Sequence, residues 1–360
     1  MLRSGYRQVT IWKPIAIIFA IIFASSPGQA QTVKATPTPQ SHPEVHRWFE
    51  IEALTISTRY RYIDNTRGQT LANQQQWQFL GRGRFKFDRK AKYSVVTQLG
   101  TGNNITAGWN NTGWGTGDLQ TNIFVKHLYF DAKPVKPIEI QFGGIPINNG
   151  ENTEITGYDN DVYVMGERVV IRAPKQLWFD EISLSNGYLG DLSRPNVFRR
   201  FKHLDRSNYH QFLVRKKVNS RVSFSADYTF ESGIDTLRQA IKVNTKELKF
   251  ADSLTFENYQ RLDPNAGSGF AIDGSKHVNS RVDLTGGFTK ISHVIFNGDR
   301  YQRGERFYFG AIFKLNREFS IAPVIIQAVG PVPTAVSPRT RFEFIASYNI
   351  LDAFHHHHIY

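Results

Sequence analysis

Arginine and lysine recur at every second position in several short stretches of the chain. Arg59 and Arg61 are separated by a tyrosine, and Arg82, Arg84 and Lys86 are separated by glycine and phenylalanine. Successive side chains of a β-strand point to opposite faces, so each stretch would carry its basic groups on one face. Other alternating stretches add four further candidates: Arg238, Lys242, Arg306 and Arg341.

Basic groups aligned in this way predict a surface for anions. A row of cations on a wall of low dielectric constant raises the local concentration of anions. The guanidinium group adds a rigid fork that matches a carboxylate or a phosphate. The alternative is that these side chains pair with aspartate and glutamate inside a polar or plugged structure, and the sequence leaves both interpretations open.

Acidic side chains are concentrated in one stretch, residues 146–160, and at the position after it. They are Glu151, Glu154, Asp159 and Asp161. One interpretation is that this stretch turns inward and faces the basic residues across a constriction, where opposite charges would create a transverse field. The other is that it lies outside and binds divalent cations that bridge lipopolysaccharide.

The sequence lacks the motifs of catalysis and of metal binding. It contains no glycine-rich phosphate loop, zinc-ligand spacing or nucleophile elbow, and Ser183–Gly187 has no neighbouring histidine in sequence. His355–His358 form a histidine tract, but neighbouring side chains of a strand alternate sides, so all four cannot bind one ion. We therefore predict no catalytic residue, no metal site and no cofactor.

The first 30 residues have the organisation of a secretory signal peptide. Three basic residues precede the apolar run at 15–24, and Gly28-Gln29-Ala30, with small residues at its first and third positions, offers a cleavage site. The run is about half as long as the roughly 20 apolar residues that span a bilayer as a helix. No later segment is long enough either, which excludes a helical membrane protein. We predict a cleaved signal peptide at 1–30 and a flexible, proline-containing segment at 31–45.

The composition is that of a basic chain rich in aromatic rings. It has 360 residues, no cysteine and a formal charge of +13, with 27 phenylalanines and 15 tyrosines. A barrel needs no disulfide, because its interstrand hydrogen bonds close into a ring, and its lipid-facing girdle uses many rings. An exported chain rarely meets nucleic acid, so the positive charge indicates lipopolysaccharide or small anions as partners.

Most of the remaining chain alternates between apolar and polar side chains in runs of about 10 residues. In residues 221–230, for example, Phe224 and Tyr228 share one face and Asp227 lies on the other. Aromatic side chains dominate the apolar faces, which favours contact with lipid over the core of a soluble sandwich. The pattern predicts an all-β fold over residues 46–360, a transmembrane antiparallel up-and-down β-barrel.

The connections between these runs alternate in length, as they do in outer-membrane barrels. The short ones lie near Asp88–Ala91, Ala132–Lys136, Ala173–Gln176, Lys217–Ser220, Glu247–Lys249, His277–Ser280 and Leu315–Glu318. The longer ones are Asp64–Gln74, Thr101–Leu119, Pro146–Asn160, Tyr188–Ser207, Arg261–Gly269 and Val329–Pro338. Seven short turns with both chain ends on one side imply about 16 strands, within a range of about 12–18.

Residues 128–171 resemble a hairpin of Gram-negative outer-membrane porins. One strand ends in Tyr129–Ala132, a short turn follows, and the next strand runs into Gly143 and Gly144. The superfamily includes phosphate-selective and alginate-export branches, and no motif here selects a branch. The resemblance extends to the strand rhythm over 46–350 and implies that the loop after the hairpin folds into a pore. This chain has Ile145 where those families often place arginine.

These features together predict a porin-like channel in the outer membrane for passive diffusion of small, preferentially anionic solutes. The alternatives are a non-conducting structural or adhesive barrel and, less favoured, a barrel-embedded hydrolase. Expected partners are outer-membrane lipid, lipopolysaccharide and small anionic solutes, and nucleic acid is not expected. The sequence leaves open whether the barrel is a monomer or a homotrimer.

Overall fold

The computed structural model describes residues 48–153, 158, 161–172, 178–246, 250–262, 267–292, 303–330 and 337–356. The chain divides into two units, Met1–His46 and Arg47–Tyr360. The predicted signal peptide and the proline-containing segment lie outside the described residues and stay predictions. Most of the described residues of the second unit lie in strands.

Seventeen strands are present in the described residues. They are β1 (Phe49–Asn65), β2 (Thr70–Lys86), β3 (Tyr93–Thr101), β4 (Asn110–Gly115), β5 (Ile123–Val135), β6 (Ile138–Pro146), β7 (Tyr163–Arg172), β8 (Glu181–Tyr188), β9 (Tyr209–Lys217), β10 (Val222–Glu231), β11 (Ile234–Asn244), β12 (Ser253–Arg261), β13 (Ser268–Asn279), β14 (Val282–Ile291), β15 (Gly304–Lys314), β16 (Phe319–Ala328) and β17 (Pro338–Asn349). Two short 3-10 helices, Val197–Arg199 and Phe201–His203, lie between β8 and β9, and helix α1 (Ile350–His356) follows β17. No helix in the described ranges is long and apolar enough to cross a membrane.

The strands form one antiparallel sheet that closes on itself. Strand β1 pairs with β2 on one side and with β17 on the other, where Arg61 lies opposite Glu343. Strands β3 and β4 share one position, because β2 pairs with β3 over residues 80–86 and with β4 over residues 74–77. The barrel therefore has 16 strand positions, which confirms the predicted all-β barrel and its strand number.

Aromatic and polar side chains segregate across the barrel wall. Phe307 and Phe309 are more than half exposed on the outer face, whereas Arg306 and Tyr308, which alternate with them, are buried on the inner face. The same alternation places Glu343 inside. Closure pairs the backbone groups of the wall and removes the open edge that would be costly in lipid.

One end of the barrel, the turn end, carries seven connections. They join β2–β3, β5–β6, β7–β8, β9–β10, β11–β12, β13–β14 and β15–β16. Each coincides with a short turn predicted from the sequence. The opposite end, the loop end, carries the remaining connections, so the predicted division between short turns and longer loops is largely correct.

Two connections at the loop end differ from the prediction. The segment Asp64–Gln74 was expected to be long, but β1 and β2 stay paired until Asp64 meets Thr70, which leaves a tight turn. Strands β10 and β11 are joined by Ser232 and Gly233, which the sequence analysis did not single out. Their φ angles of 51° and 90° are the positive values that a two-residue hairpin turn requires.

Two segments from the loop end fold into the barrel. Residues 102–109, between β3 and β4, bring Gly108 against the side chain of Gln78, and the described residues 147–153, after β6, bring Gly150 against Ser225. A buried hydrophobic cluster that includes Ile105 and joins both segments anchors them. These segments narrow the interior that the wall encloses.

Candidate functional site

A β-bulge in β1 places a carboxylate among the basic residues of β2. The register of β1 against β2 shifts at Glu52, which strict alternation assigns to the outer face. Glu52 instead bonds Arg82 Nε at 2.6 Å and Arg84 Nε at 2.5 Å. Lys86 pairs with Glu50 at 2.6 Å. The three basic residues predicted on β2 therefore all have acidic partners.

This ion-pair network continues around the inner wall at the turn end. Arg84 also reaches Asp131 at 2.9 Å, and Lys133 lies between Asp131 and Glu139. The pairs bring together five bases (Arg82, Arg84, Lys86, Lys133 and Arg172) and five acids (Glu50, Glu52, Asp131, Glu139 and Glu181). Because these charges balance, the turn-end network has no preference for anions of its own.

A different arrangement occupies the loop end of the inner wall, where three arginines converge on Glu343. The distances from Glu343 Oε1 are 3.0 Å to Arg59, 2.7 Å to Arg61 and 2.9 Å to Arg341. Glu343 has no exposed surface, and Arg59 is almost completely buried. These residues lie on β1 and β17, so the contact forms only when the first and last strands close the barrel.

Arg306 is a fourth arginine at the loop end and has a different set of partners. It is 2% exposed and donates to the carbonyl oxygens of Arg303 at 3.0 Å and Pro338 at 2.8 Å. It has no ion pair with a described residue and is repelled by Arg341. We call Arg59, Arg61, Arg306 and Arg341 the arginine cluster.

Trp109, in the inserted segment 102–109, packs on this cluster. The Arg59 guanidinium carbon lies 4.2 Å from the centre of the Trp109 ring, a cation–π contact. Arg59 Nε also donates to Gln76 Oε1 at 2.7 Å. The ring and the amide fix the guanidinium in place, so the inserted segment supports the cluster sterically as well as electrostatically.

The two basic residues predicted on β11 have different surroundings. Arg238 is buried, pairs with Asp227 at 2.5 Å and reaches Asn149 of the inserted segment at 3.4 Å. Lys242 lies on the same face, is exposed and has no ion pair with any described residue. Of the two, Lys242 adds a charge without a carboxylate partner among the described residues.

The segment after β6 is held against the inner wall of β9 to β12. The backbone N–H of Glu151 donates to Ser225 Oγ at 2.9 Å, and that of Thr153 donates to Glu257 Oε1 at 2.7 Å. The Glu151 carboxylate pairs with Arg215 at 2.6 Å. Thus the predicted acid Glu151 lies inside the barrel beside Arg215, a base that the sequence analysis did not select.

Asp161 lies just before β7 and contacts another base that the sequence analysis missed. Lys126 is completely buried, with Nζ 3.3 Å from Asp161 Oδ2 and 3.2 Å from the carbonyl oxygen of Ala107. A bulge in β5 between Val125 and His127 turns Lys126 inward. The other two predicted acids, Glu154 and Asp159, lie outside the described residues, and their place at a constriction stays a prediction.

Arg168 on β7 is a buried base that alternation did not reveal. It donates to Ser185 Oγ at 2.9 Å, to Gln141 Oε1 at 3.1 Å and to the carbonyl oxygen of Pro146. It pairs with no described carboxylate. Strand β7 carries Glu167 and Arg168 side by side between apolar residues, so alternation alone does not show which of the two faces inward.

Possible metal ligands do not cluster in the described part of the chain, where no three histidine, cysteine, aspartate or glutamate residues meet. Helix α1 ends at His356, and His357 and His358 lie outside the described residues. Phe354 lies in α1, because β17 ends at Asn349.

Comparison with known proteins bears on the barrel as a whole. No family model and no curated protein matches the chain. A mutant porin of Rh. blastica matches with a TM-score of 0.51 and 10% identity over 84% of this chain and 99% of that one. Salmonella typhi OmpF, in a complex with daunomycin, matches with a TM-score of 0.54 and 10% identity over 84% and 97%.

The chain has the barrel fold of the Gram-negative porins. At these identities the likeness concerns the fold, and it confirms the resemblance that the 128–171 hairpin indicated. The phosphate-selective and alginate-export branches stay predictions. Within the porin fold of this chain, the interior combines a balanced turn end, an arginine-rich loop end and an inserted segment between β6 and β7.

Proposed function

We propose that this porin-fold barrel is a channel in the outer membrane for passive diffusion of small solutes, with a preference for anions. The observation that carries the preference is the distribution of charge along the inner wall. The turn-end network is balanced, whereas the loop end gathers four arginines, of which Arg306 has only carbonyl oxygens as described partners. Arg61 keeps 19% of its side-chain surface exposed, so a solute that enters from the loop end would pass the positive potential of the cluster.

Water contact inside the barrel supports a channel over a plugged barrel. The side chain of Arg82 keeps 33% of its surface exposed, and those of Glu52 and Arg61 keep 22% and 19%. A fully plugged interior would remove water from these charged groups at a cost in free energy. Their residual exposure therefore favours a water-filled passage beside the inserted segments.

The outer face supports a membrane location. Rings such as Phe142, Phe256 and Phe344 are exposed there in alternation with inner polar groups, as in the lipid-facing band of outer-membrane barrels. The likeness to porins is also the basis for proposing a homotrimer over a monomer. The mass of the purified complex in native mass spectrometry would distinguish these two assemblies.

A hydrolase finds less support in the geometry. Ser207 Oγ lies 3.3 Å from His210 Nε2, which is the pair that a serine nucleophile would need. However, the Ser207 hydroxyl donates to Asn186 Oδ1 at 2.6 Å, and no described carboxylate orients His210. We therefore propose a channel without catalytic residues, cofactor or metal.

Planar-bilayer recording with the purified protein tests this proposal. We expect discrete conductance steps, and their absence at protein levels that insert into the bilayer would reject the channel. Arg61→Gln, in the arginine cluster, should shift the reversal potential in a salt gradient toward the value expected for a channel that prefers cations. Lys90→Gln, which removes the same charge from the exposed β2–β3 turn, is the matched control and should leave the potential unchanged.

A further inference from the structure

The connection between β8 and β9, residues 189–208, starts beside the inserted segment 102–109, where Ile105 N–H donates to the Leu192 carbonyl oxygen at 2.8 Å, and then lies against the outer wall of the barrel. We call it the outer flap. Val197 of the flap sits on Gly144, where any side chain would overlap it. Gly144 belongs to the outer face because it pairs with Leu128, two residues from the exposed ring of Phe130. The flap therefore covers the wall at the loop end of β5 to β8.

A buried arginine fixes the flap to the wall. The Arg200 guanidinium carbon lies 5.0 Å from the Tyr163 ring centre and 5.8 Å from that of Tyr188. Arg200 also donates to the carbonyl oxygen of Asp191 at 3.1 Å, and the Tyr163 hydroxyl donates to the carbonyl oxygen of Pro195 at 3.0 Å. These contacts attach the flap to the wall through Arg200 and Tyr163.

The outer side of the flap is basic and carries one exposed ring. Arg199, Lys202 and Arg206 are exposed, and none of them has an ion pair with a described residue. By contrast, Arg194 of the same segment is paired with Asp191 at 3.0 Å. Phe198 is 58% exposed beside the basic groups. The surface thus combines an apolar contact with three cations that have no ion-pair partner among the described residues, and Asp205 is an exposed acid beside them.

The outward side chains of β7 show where the flap lies relative to the apolar part of the outer wall. On β7, counted from the turn end, they are Ile171, Val169 and then Glu167, which is exposed. Asn186 of β8 lies opposite Glu167 on the same face. The outward side chains of β7 therefore become polar at Glu167, and the flap lies on the loop-end side of that residue.

We propose that the outer flap binds the phosphate groups of an anionic lipid in the leaflet at the loop end of the barrel. Arg199, Lys202 and Arg206 would contact phosphate oxygens, for which guanidinium and ammonium groups are suited, and Phe198 would lie against the start of the acyl chains. The inference rests on the membrane location proposed above and is independent of whether the barrel conducts.

Native mass spectrometry of the full-length protein in detergent tests this inference. The probe is lipid A with two phosphates, compared with the same lipid after removal of its phosphates. The variant Arg199→Gln, Lys202→Gln, Arg206→Gln should bind the phosphorylated lipid roughly 100-fold more weakly, at about fivefold for each basic group lost. The matched control neutralises Arg89, Lys90 and Lys92 in the β2–β3 turn and should bind like the unaltered protein.

Three outcomes would overturn the inference. They are equal binding by the flap variant and the unaltered protein, an equal loss in the flap variant and the control, and equal binding of the phosphorylated and dephosphorylated lipids. Inorganic phosphate at the same phosphate concentration should not displace the lipid, and full displacement would indicate a site for free phosphate instead. Native mass spectrometry does not measure conductance. If the protein binds the lipid here but gives no current in planar bilayers, only the proposed channel is rejected.

Discussion

Glu343→Gln is the substitution that probes the arginine cluster most sharply. It removes the carboxylate that Arg59, Arg61 and Arg341 contact at 2.7–3.0 Å, while it keeps the size of the side chain. Glu343 is completely buried, so water cannot replace the lost charge. Three guanidinium groups that the carboxylate holds together would then repel one another across the junction of β1 and β17.

The expected cost follows from this burial. Removal of one member of a buried ion pair costs about 3–5 kcal/mol, because it leaves an uncompensated buried charge. The lower end of this range applies here, because glutamine keeps one acceptor oxygen and Arg59 keeps its contacts with Gln76 and the Trp109 ring. We expect the free energy of unfolding to fall by about 3 kcal/mol.

Reversible urea unfolding in lipid vesicles measures this loss. The matched control is Glu305→Gln on β15, because Glu305 pairs with Lys290 at 2.6 Å but both side chains are substantially exposed. Exposed ion pairs contribute only about 0–1 kcal/mol. A loss in Glu343→Gln no larger than that in Glu305→Gln would refute the view that a buried carboxylate holds the cluster together.

Three further predictions concern the connections at the loop end. Glu151→Gln should break the pair with Arg215 and increase the current noise of single channels, because the inserted segment loses one attachment to the wall. Gly144→Leu should displace the outer flap and make it sensitive to limited proteolysis, with the strand content unchanged by circular dichroism. The Ser193 hydroxyl, 2.6 Å from Asp191, holds the pKa of that carboxyl below its usual range, so Ser193→Ala should raise the pKa measured by carboxyl NMR titration. Since the folded-state pKa is lowered, the stability from this contact is present above the unfolded-state pKa and is lost as the pH falls through the folded-state value.

The barrel itself could be predicted from sequence because lipid and water impose opposite demands on successive residues. A strand with lipid outside and a polar interior must alternate rings and polar groups, as Phe307 and Arg306 do. The number of short turns then gives the number of strands. This reasoning needs only local patterns, so it identified the fold class, the strand number and most connections.

The partners of the basic residues could not be predicted in this way. The bulges at Glu52 and Lys126 each add one residue, which turns a side chain to the face opposite the one that strict alternation assigns. The contact between Arg61 and Glu343 joins residues 282 positions apart and depends on closure of the barrel. The partner of Glu151 depends on the path of a segment through the interior, which no periodicity encodes.

These findings changed the physical basis of the expected anion preference. The sequence analysis based it on Arg59, Arg61, Arg82, Arg84 and Lys86, but acids of the turn-end network balance the last three of these charges. The expected anion preference now rests on the arginine cluster at the loop end. Selectivity should therefore respond more strongly to Arg61 than to charges that already belong to balanced pairs.

The reversal potential of the unaltered channel in a potassium chloride gradient is the most direct test of the central claim. Potassium and chloride have nearly equal mobility in water, so the sign of the potential reports the charge of the passage. The arginine cluster predicts the sign that corresponds to faster passage of chloride, with a smaller effect at high salt because the charges are screened. A potential of the opposite sign, with potassium preferred, would contradict the account.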